Sequence, residues 1–446
     1  MANAAQYKMP GETATINHSR PLNRPDIPAL TGLRFYAAFF VLIAHGCAAI
    51  LADHETPYGA IYWVRQASGF GMTLFFVLSG FVIHYNYARL VAAAGINGAG
   101  AYLWARFARL YPLFLLMMII YILVSSRHID YWTGHPERLH STLRALPYFL
   151  LSMQSWFYVV IDGNPLLDAI GGASPITWSI STEWLFYLIY LGLAWLVLRL
   201  RSPRVTFLVI LMWCAAWTLI ATGLYDRTDQ INSWAVAHFG PVADLGERPQ
   251  DSFVRWLLYF SPYLRLGEFA LGSLVAEFYV QMRGHKVSEV ENVAGVAGFV
   301  AAAASVVGVT YLEYSPNVGM TVLREVNMNF ALAPSAATLI FCAARYRGAV
   351  FRLLTCRPVM VLGEASYSIY LVHLVILTAV ARLLAPAGHG TLYEIVELLL
   401  VVLVIFVISV ALYAFYEAPA RRLLRGLWPG RRLLERPAAR GQPLMS

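Results

Sequence analysis

Charge is scarce in this chain. Asp, Glu, Lys and Arg make up 13% of its 446 residues, roughly half the share usual in a soluble globular protein. Apolar side chains make up 59%, and mean hydropathy is +0.58. That balance excludes a set of soluble domains. Lysine is nearly missing: only Lys8 and Lys286 occur, so the formal charge of +8 rests on arginine. In a membrane protein such an excess reads first as topology and second as an anion site, and nucleic-acid binding is not expected. The four cysteines (Cys47, Cys214, Cys342, Cys356) are scattered without a CxxC pair, which argues against a disulfide framework and a cysteine metal site. The sequence has no Gly-rich phosphate loop and no internal repeat. It also lacks metal-ligand spacing, so no metal is expected. Residues 1–28 are polar with no apolar centre, so no cleavable signal peptide is expected.

Long apolar runs are plentiful. Runs of membrane length fall near 31–51, 70–90, 107–125, 177–198, 205–224, 255–280, 293–312, 330–344, 361–384 and 394–416. The expected fold is all-α: a polytopic membrane protein of about ten transmembrane helices. Segment 144–160, interrupted by Pro147, Gln154 and Trp156, forms one additional re-entrant or interfacial helix. With ten spans both termini share one side, and that side receives most of the basic residues, including Arg89, Arg106, Arg109, Arg199, Arg345 and the cluster from Arg421 onward. By the positive-inside rule that side is cytoplasmic. The expected organisation is a polar tail over 1–28, one transmembrane domain over 29–425, and a basic, disordered cytoplasmic tail over 426–446. The external loop 225–254 is long enough to meet a substrate.

Leu30–Leu51 organises the rest, because it carries Arg34 and His45 in otherwise apolar sequence. Eleven residues bring a helix back to nearly the same face, about 16 Å further along. Between the two, Ala37, Ala38, Val41 and Leu42 offer a shallow groove. Ionisable groups inside a bilayer are costly and mark functional sites. His45 and Glu183 lie at matched depth, roughly 9 Å below the outer surface. They are natural partners, either with the carboxylate fixing the imidazole tautomer as a general base requires or as a structural polar pair joining the first and fifth spans. Trp178, Ser181 and Tyr187 flank Glu183 and either line its cavity or belong to the interfacial aromatic belt. Ser79-Gly80 in the second span permits close helix approach or room for a thin ligand; Ser79 as a nucleophile is a further alternative. Arg106 and Arg109, one turn apart, suit a phosphate or pyrophosphate. His84 is expected at the interface, Arg265 and Glu268 as an intrahelical ion pair, and His373 near the centre of its span.

Seven stretches, in order, resemble the acyltransferase-3 family of membrane-bound O-acyltransferases acting on carbohydrates: TGLRFYAAFFVLIAHG, LFFVLSGFVI, RFARLYP, WSISTEWLFYLIY, RLGEFALGSLVAEF, EASYSIYLVH and YEAPARR. Together they run through roughly residues 29–425. The resemblance implies an acyl-CoA donor, most simply acetyl-CoA, on the cytoplasmic side of a bacterial inner membrane. It implies a glycan hydroxyl outside as acceptor; with no hydrolase-like stretch following the last span, a stand-alone member is expected. The family's Arg and His fall on Arg34 and His45, its RxxR on Arg106 and Arg109, and its fifth-span Glu on Glu183. The sequence departs from the family at Thr31, where relatives commonly carry Asp.

The reading that follows has His45 and Glu183 catalytic and Arg34, Arg106 and Arg109 on the CoA. Trp178, Tyr187, Ser79 and His373 stand near the substrate, and transfer is either direct or through an acyl-enzyme. The alternative is a secondary transporter of an anionic or glycan substrate using the same charges as a relay. Matching halves and paired broken helices, which such transporters often show, are missing from the sequence.

Overall fold

The computed structural model describes residues 26–51, 59–125, 136–170, 174–314, 330–383 and 390–429. The expected tails fall almost wholly on 1–25 and 430–446, outside the described residues. The protein is an all-α polytopic membrane protein, with helices α1 (Pro28–Ile50), α2 (Ala60–Ala93), α3 (Gly95–Ser125), α4 (Pro136–Leu150), α5 (Ser174–Val197), α6 (Pro203–Tyr225), α7 (Thr228–Phe239), α8 (Pro262–Met282), α9 (Glu289–Tyr314), α10 (Ala333–Arg345), α11 (Arg357–Glu364), α12 (Ser366–Leu383), α13 (Thr391–Leu412) and α14 (Ala418–Gly426). The lipid environment dictates this content, since hydrocarbon offers no partner for an open backbone and helices satisfy theirs internally.

Seven described helices are long and apolar enough to cross a membrane. They become eight if α11 and the start of α12, bent by 73° at Ala365, count as one broken span. The expectation of about ten spans is met in helices rather than in apolar crossings. Over 21 residues α8 carries Arg265, Glu268 and Glu277. With 13 residues, α10 is about 20 Å long, short of a hydrocarbon core of about 30 Å. Most of α8 is buried among other helices, and α10 buries one face against α2, α8 and α9, so neither has to be apolar throughout.

Segment 144–160 does not cross. Its helix stops at Leu150, and a two-residue antiparallel ladder pairs Val160 with Pro165 and Ile161 with Asn164. The turn between them holds Asp162 and Gly163 at φ +50° and +79°, the left-handed pair that a tight hairpin demands. Before the ladder, residues 154–156 dock on α5. Ser155 donates to Ser181 Oγ at 2.9 Å, and the Trp156 indole donates to the Ser181 carbonyl at 2.9 Å.

At the centre, α2 lies against α1 on one side and α8 on the other. The α2–α8 approach is backbone to backbone: a Cβ at Gly80 would strike the Phe269 carbonyl, and one at Gly272 would strike the carbonyl of Val77. Small residues permit this in lipid, where close packing replaces the hydrophobic effect as the main attraction. The same contact buries Arg265 and Glu268, at 1% and 0% exposed. Arg265 Nη1 and Thr73 Oγ1 both donate to Glu268 Oε1, at 3.0 and 2.7 Å, and Arg265 Nε donates to the Tyr259 carbonyl at 3.0 Å. Glu268→Leu strands a buried guanidinium and should destabilise the protein by about 3–5 kcal/mol. Arg265→Met with Glu268→Leu should recover most of that loss. Thermal unfolding in detergent checks both variants.

Candidate active site

Two cavities approach each other through the bundle from opposite faces. The first lies toward the end at which α1 begins, is narrow at about 80 Å³, and is lined by Arg34, Ser79, Arg106, Arg109, Glu183 and Tyr367 among others. The three guanidinium groups and the Glu183 carboxylate act on one another's charge. Arg106 is buried at 7% exposed. Its Nη2 donates to the Tyr87 hydroxyl at 2.8 Å, its guanidinium lies 4.7 Å above the Tyr87 ring, and its Nε–H has no acceptor among the described residues. Three cations with one carboxylate and an unused N–H make a receptor for a charged, multidentate anion. The expected Arg34–Arg106–Arg109 grouping is present in the geometry.

The second cavity opens where α1 ends and α2 begins, and holds about 570 Å³. One stripe of α1 (Val41, Ala44, His45, Ala48) forms a wall, and α2 adds Arg65, Gln66, Ser68 and Met72. Opposite stand Phe157–Val159, Pro165–Asp168, Trp178 and Gln250–Ser252. A space of this size with aromatic walls and a few convergent polar groups accommodates a small organic ligand or one unit of a larger one. Loop 225–254, expected to contact an external substrate, therefore reaches the cavity through Gln250 and Asp251.

At this cavity His45 meets a second histidine. Its Nδ1 lies 3.1 Å from His373 Nε2, with ring centroids 5.2 Å apart and planes 28° from parallel. His373 is fully buried, and its Nδ1 lies 2.7 Å from the Tyr370 carbonyl, which only accepts. The proton of neutral His373 is therefore assigned to Nδ1, leaving Nε2 as an acceptor. It follows that the His45 proton sits on Nδ1, shared with His373, and that His45 Nε2 carries a lone pair. A base with its tautomer set from behind is what proton abstraction from a hydroxyl needs.

Three expectations are corrected by this geometry. Glu183 does not pair with His45. It accepts from Ser79 Oγ at 2.7 Å and from the Tyr187 hydroxyl at 2.6 Å, and it lines the arginine cavity. Equal depth along two helices does not make them face each other, and the carboxylate sits where three cations compensate it. Nor does α1 offer a continuous groove between Arg34 and His45: Ala37, Ala38 and Leu42 are packed at 0%, 1% and 0% exposed, and of the four residues expected there Val41 alone lines a cavity, the wider one. Small residues there admit neighbouring helices rather than a ligand. His84 is not interfacial. It is buried, 3.0 Å from Glu277 Oε2 and 3.2 Å from the Tyr190 hydroxyl.

The remaining expected substrate-side residues separate. Ser79 lines the arginine cavity and Trp178 lines the wider one, whereas Tyr187, 1% exposed, reaches the site through its bond to Glu183. His373 stands behind His45. Sequence reading missed Met72 and Tyr370, which line both cavities, and Asp168 and Asp251 at the wider mouth. An Asp in a loop and a Met in an apolar run give no signal by themselves.

Burial, and the hydrogen bond that the protonated carboxyl donates to the neighbouring Asp251, raise Asp168 from its ordinary 3.8 to about 7, against the opposing pull of Arg248. A carboxyl raised in the folded state contributes stability below its ordinary value and loses it as pH climbs through the folded one. Thermal stability should therefore decline from about pH 4 to about pH 8, and Asp168→Asn should flatten that slope. Melting curves of both proteins across this range check it.

A sequence model of the family described as an acyltransferase domain matches residues 27–414. Acyltransferase MdmB of Streptomyces mycarofaciens is 28% identical over 252 residues, covering 56% of this chain and 57% of that protein. Putative peptidoglycan O-acetyltransferase YrhL of Bacillus subtilis is 26% identical over 362 residues, 78% of this chain and 48% of that protein. Protein 2 in the picA locus of Rhizobium radiobacter is 35% identical over 91 residues, 20% of this chain and 41% of that protein. The chain spans about half the length of the curated relatives it matches, and no solved structure matches it. The family match runs through every element that lines the two cavities, and the chain belongs to the acyltransferase-3 family.

Proposed function

We propose that this protein moves an acetyl group from acetyl-CoA on the cytoplasmic side to a sugar hydroxyl on the other side of the bacterial inner membrane. One observation carries the proposal: an arginine-lined cavity and a histidine-based cavity enter from opposite faces and share two lining residues. The excess of arginine on the side where α1 begins supports that side as cytoplasmic, with both termini there. Acetyl rather than a longer chain is supported by the narrowness of the arginine cavity. It is supported too by the name of the Bacillus relative, a putative peptidoglycan O-acetyltransferase. That name, with the volume of the wider cavity, supports an envelope or lipid-linked glycan as acceptor.

In this reading Arg34, Arg106 and Arg109 hold the CoA phosphates, and the unused Nε–H of Arg106 finds its acceptor there. The donor supplies an activated carbonyl carbon as its thioester. Glu183 limits the repulsion among the cations and keeps Ser79 and Tyr187 in place. His45 Nε2 takes the proton of the acceptor hydroxyl, and the oxygen attacks the thioester carbon. The new C–O bond forms as the C–S bond breaks, and the imidazolium returns its proton to the departing thiolate. His373 is the positioning residue, since it keeps the His45 proton on Nδ1.

His45→Ala should lower kcat by roughly 10²–10⁴-fold with CoA affinity unchanged, whereas Arg106→Ala with Arg109→Ala should weaken CoA binding on the order of 100-fold. His373→Ala should lower kcat with the donor KM unchanged. Calorimetry with CoA and initial rates on purified protein check these effects. The acceptor is found by measuring ester-linked acetyl on envelope and secreted glycans of a deletion strain. Restoration by wild type and not by His45→Ala is expected; full restoration by His45→Ala contradicts the mechanism.

A further inference from the structure

The two cavities meet at two shared residues. Met72, on α2, and Tyr370, on α12, line both and are nearly closed off, at 4% and 6% exposed. They are held in different ways. The Tyr370 hydroxyl lies 2.7 Å from Ser179 Oγ and 3.1 Å from the Ile176 carbonyl, both on α5, and its ring meets Phe75 edge-on at 5.8 Å. Met72 is apolar and unbranched, the side chain best able to change shape inside a packed core. Tyr370 also precedes His373 by one helical turn, and its carbonyl receives the His373 proton. The residue at the partition therefore belongs to the same turn that sets the tautomer of the base.

Resting on the transfer proposed above, we infer that Met72 and Tyr370 form a gate between the donor and acceptor cavities, with the Tyr370 hydroxyl as its latch and Met72 as a plug that sets the acyl length admitted. In that transfer the donor arm passes this point, where the two cavities share their lining. A closed gate also keeps water of the wider cavity from the thioester. When it opens without an acceptor present, water attacks the thioester carbon. The C–O bond forms as the C–S bond breaks, giving a carboxylate, a free thiol and a proton.

The latch can be removed without orphaning a buried group. In Tyr370→Phe, Ser179 Oγ still has the Ile176 carbonyl to donate to, at 3.1 Å. Losing one net hydrogen bond raises the open population roughly 2- to 12-fold. The test that does not depend on enzymology is thiol labelling. Ser79→Cys in the donor cavity, in protein with the four native cysteines replaced by serine, is exposed to a membrane-impermeant maleimide from the face at which α1 ends. Labelling should be slow in that background and faster by that factor when Tyr370→Phe or Met72→Ala is added. Unchanged rates in both overturn the gate, whether or not CoA proves to be the donor.

With native cysteines in place, the two variants should raise acceptor-independent acetyl-CoA hydrolysis relative to transfer by a similar factor. Met72→Ala should also raise butyryl transfer relative to acetyl by about tenfold or more. A wild-type hydrolysis ratio and chain-length preference in both variants contradict the inference. Failure of wild-type protein to bind or turn over acetyl-CoA counts instead against the donor assignment.

Discussion

Hydrocarbon has no hydrogen bonds to offer, so the polar groups of this bundle depend on partners within the protein, and few buried ones, Arg106 Nε and Glu268 Oε2 among them, lack one among the described residues. The demand is met most tightly at the contact of α2 with α8. Gly80 and Gly272 bring two backbones together there, and the Thr73–Glu268–Arg265 cluster is sealed from both water and lipid. With that contact fixed, α2 can present Ser79 to one cavity and Arg65 and Gln66 to the other while its middle stays closed. A buried ion pair is weak evidence for stability in itself. Its value here is geometric, because it allows α8 to run through the bundle while the residues facing the site stay in register.

The same economy governs the face that carries His45. A carboxylate beside His45 would raise its basicity, but it would also place a full negative charge against a partly buried ring pair. The neutral His373 sets the tautomer at lower desolvation cost, and Glu183 is spent among three arginines instead. Two consequences meet at Tyr370: its carbonyl fixes His373, and its hydroxyl fixes the partition between the cavities. Opening and base alignment are thereby mechanically adjacent. At the wider mouth, the Tyr158 hydroxyl, pushed up to about 12 chiefly by burial, stays neutral and donates to the Asp251 carbonyl at 2.9 Å. That bond braces the loop that carries the second carboxyl beside Asp168.

Properties local to one helix were legible in the sequence. The apolar runs located the helices, and the interruption by Pro147, Gln154 and Trp156 marked the segment that turns back. The i, i+3 spacing identified Arg106 with Arg109 as one face and Arg265 with Glu268 as a pair. Pairings between helices were not legible. His45 and His373 are 328 residues apart, and the depth argument that joined His45 to Glu183 ignored rotation about the helix axes. Small residues on α1 signal close approach equally for a ligand or for a neighbouring helix, and here the neighbour occupies the space. Met72 could not be singled out, since its role comes from standing where two cavities end.

In the proposed transfer an acyl group enters through the arginine cavity and leaves as an ester through the histidine cavity. The direct measurement uses sealed vesicles containing the protein in known orientation. Radiolabelled acetyl-CoA is confined to the side where α1 begins, and a glycan acceptor is confined to the opposite side. Labelled ester is expected on the acceptor across an intact membrane, dependent on His45 and absent when donor and acceptor are exchanged between compartments. Ester formation only when both substrates share one side would contradict it.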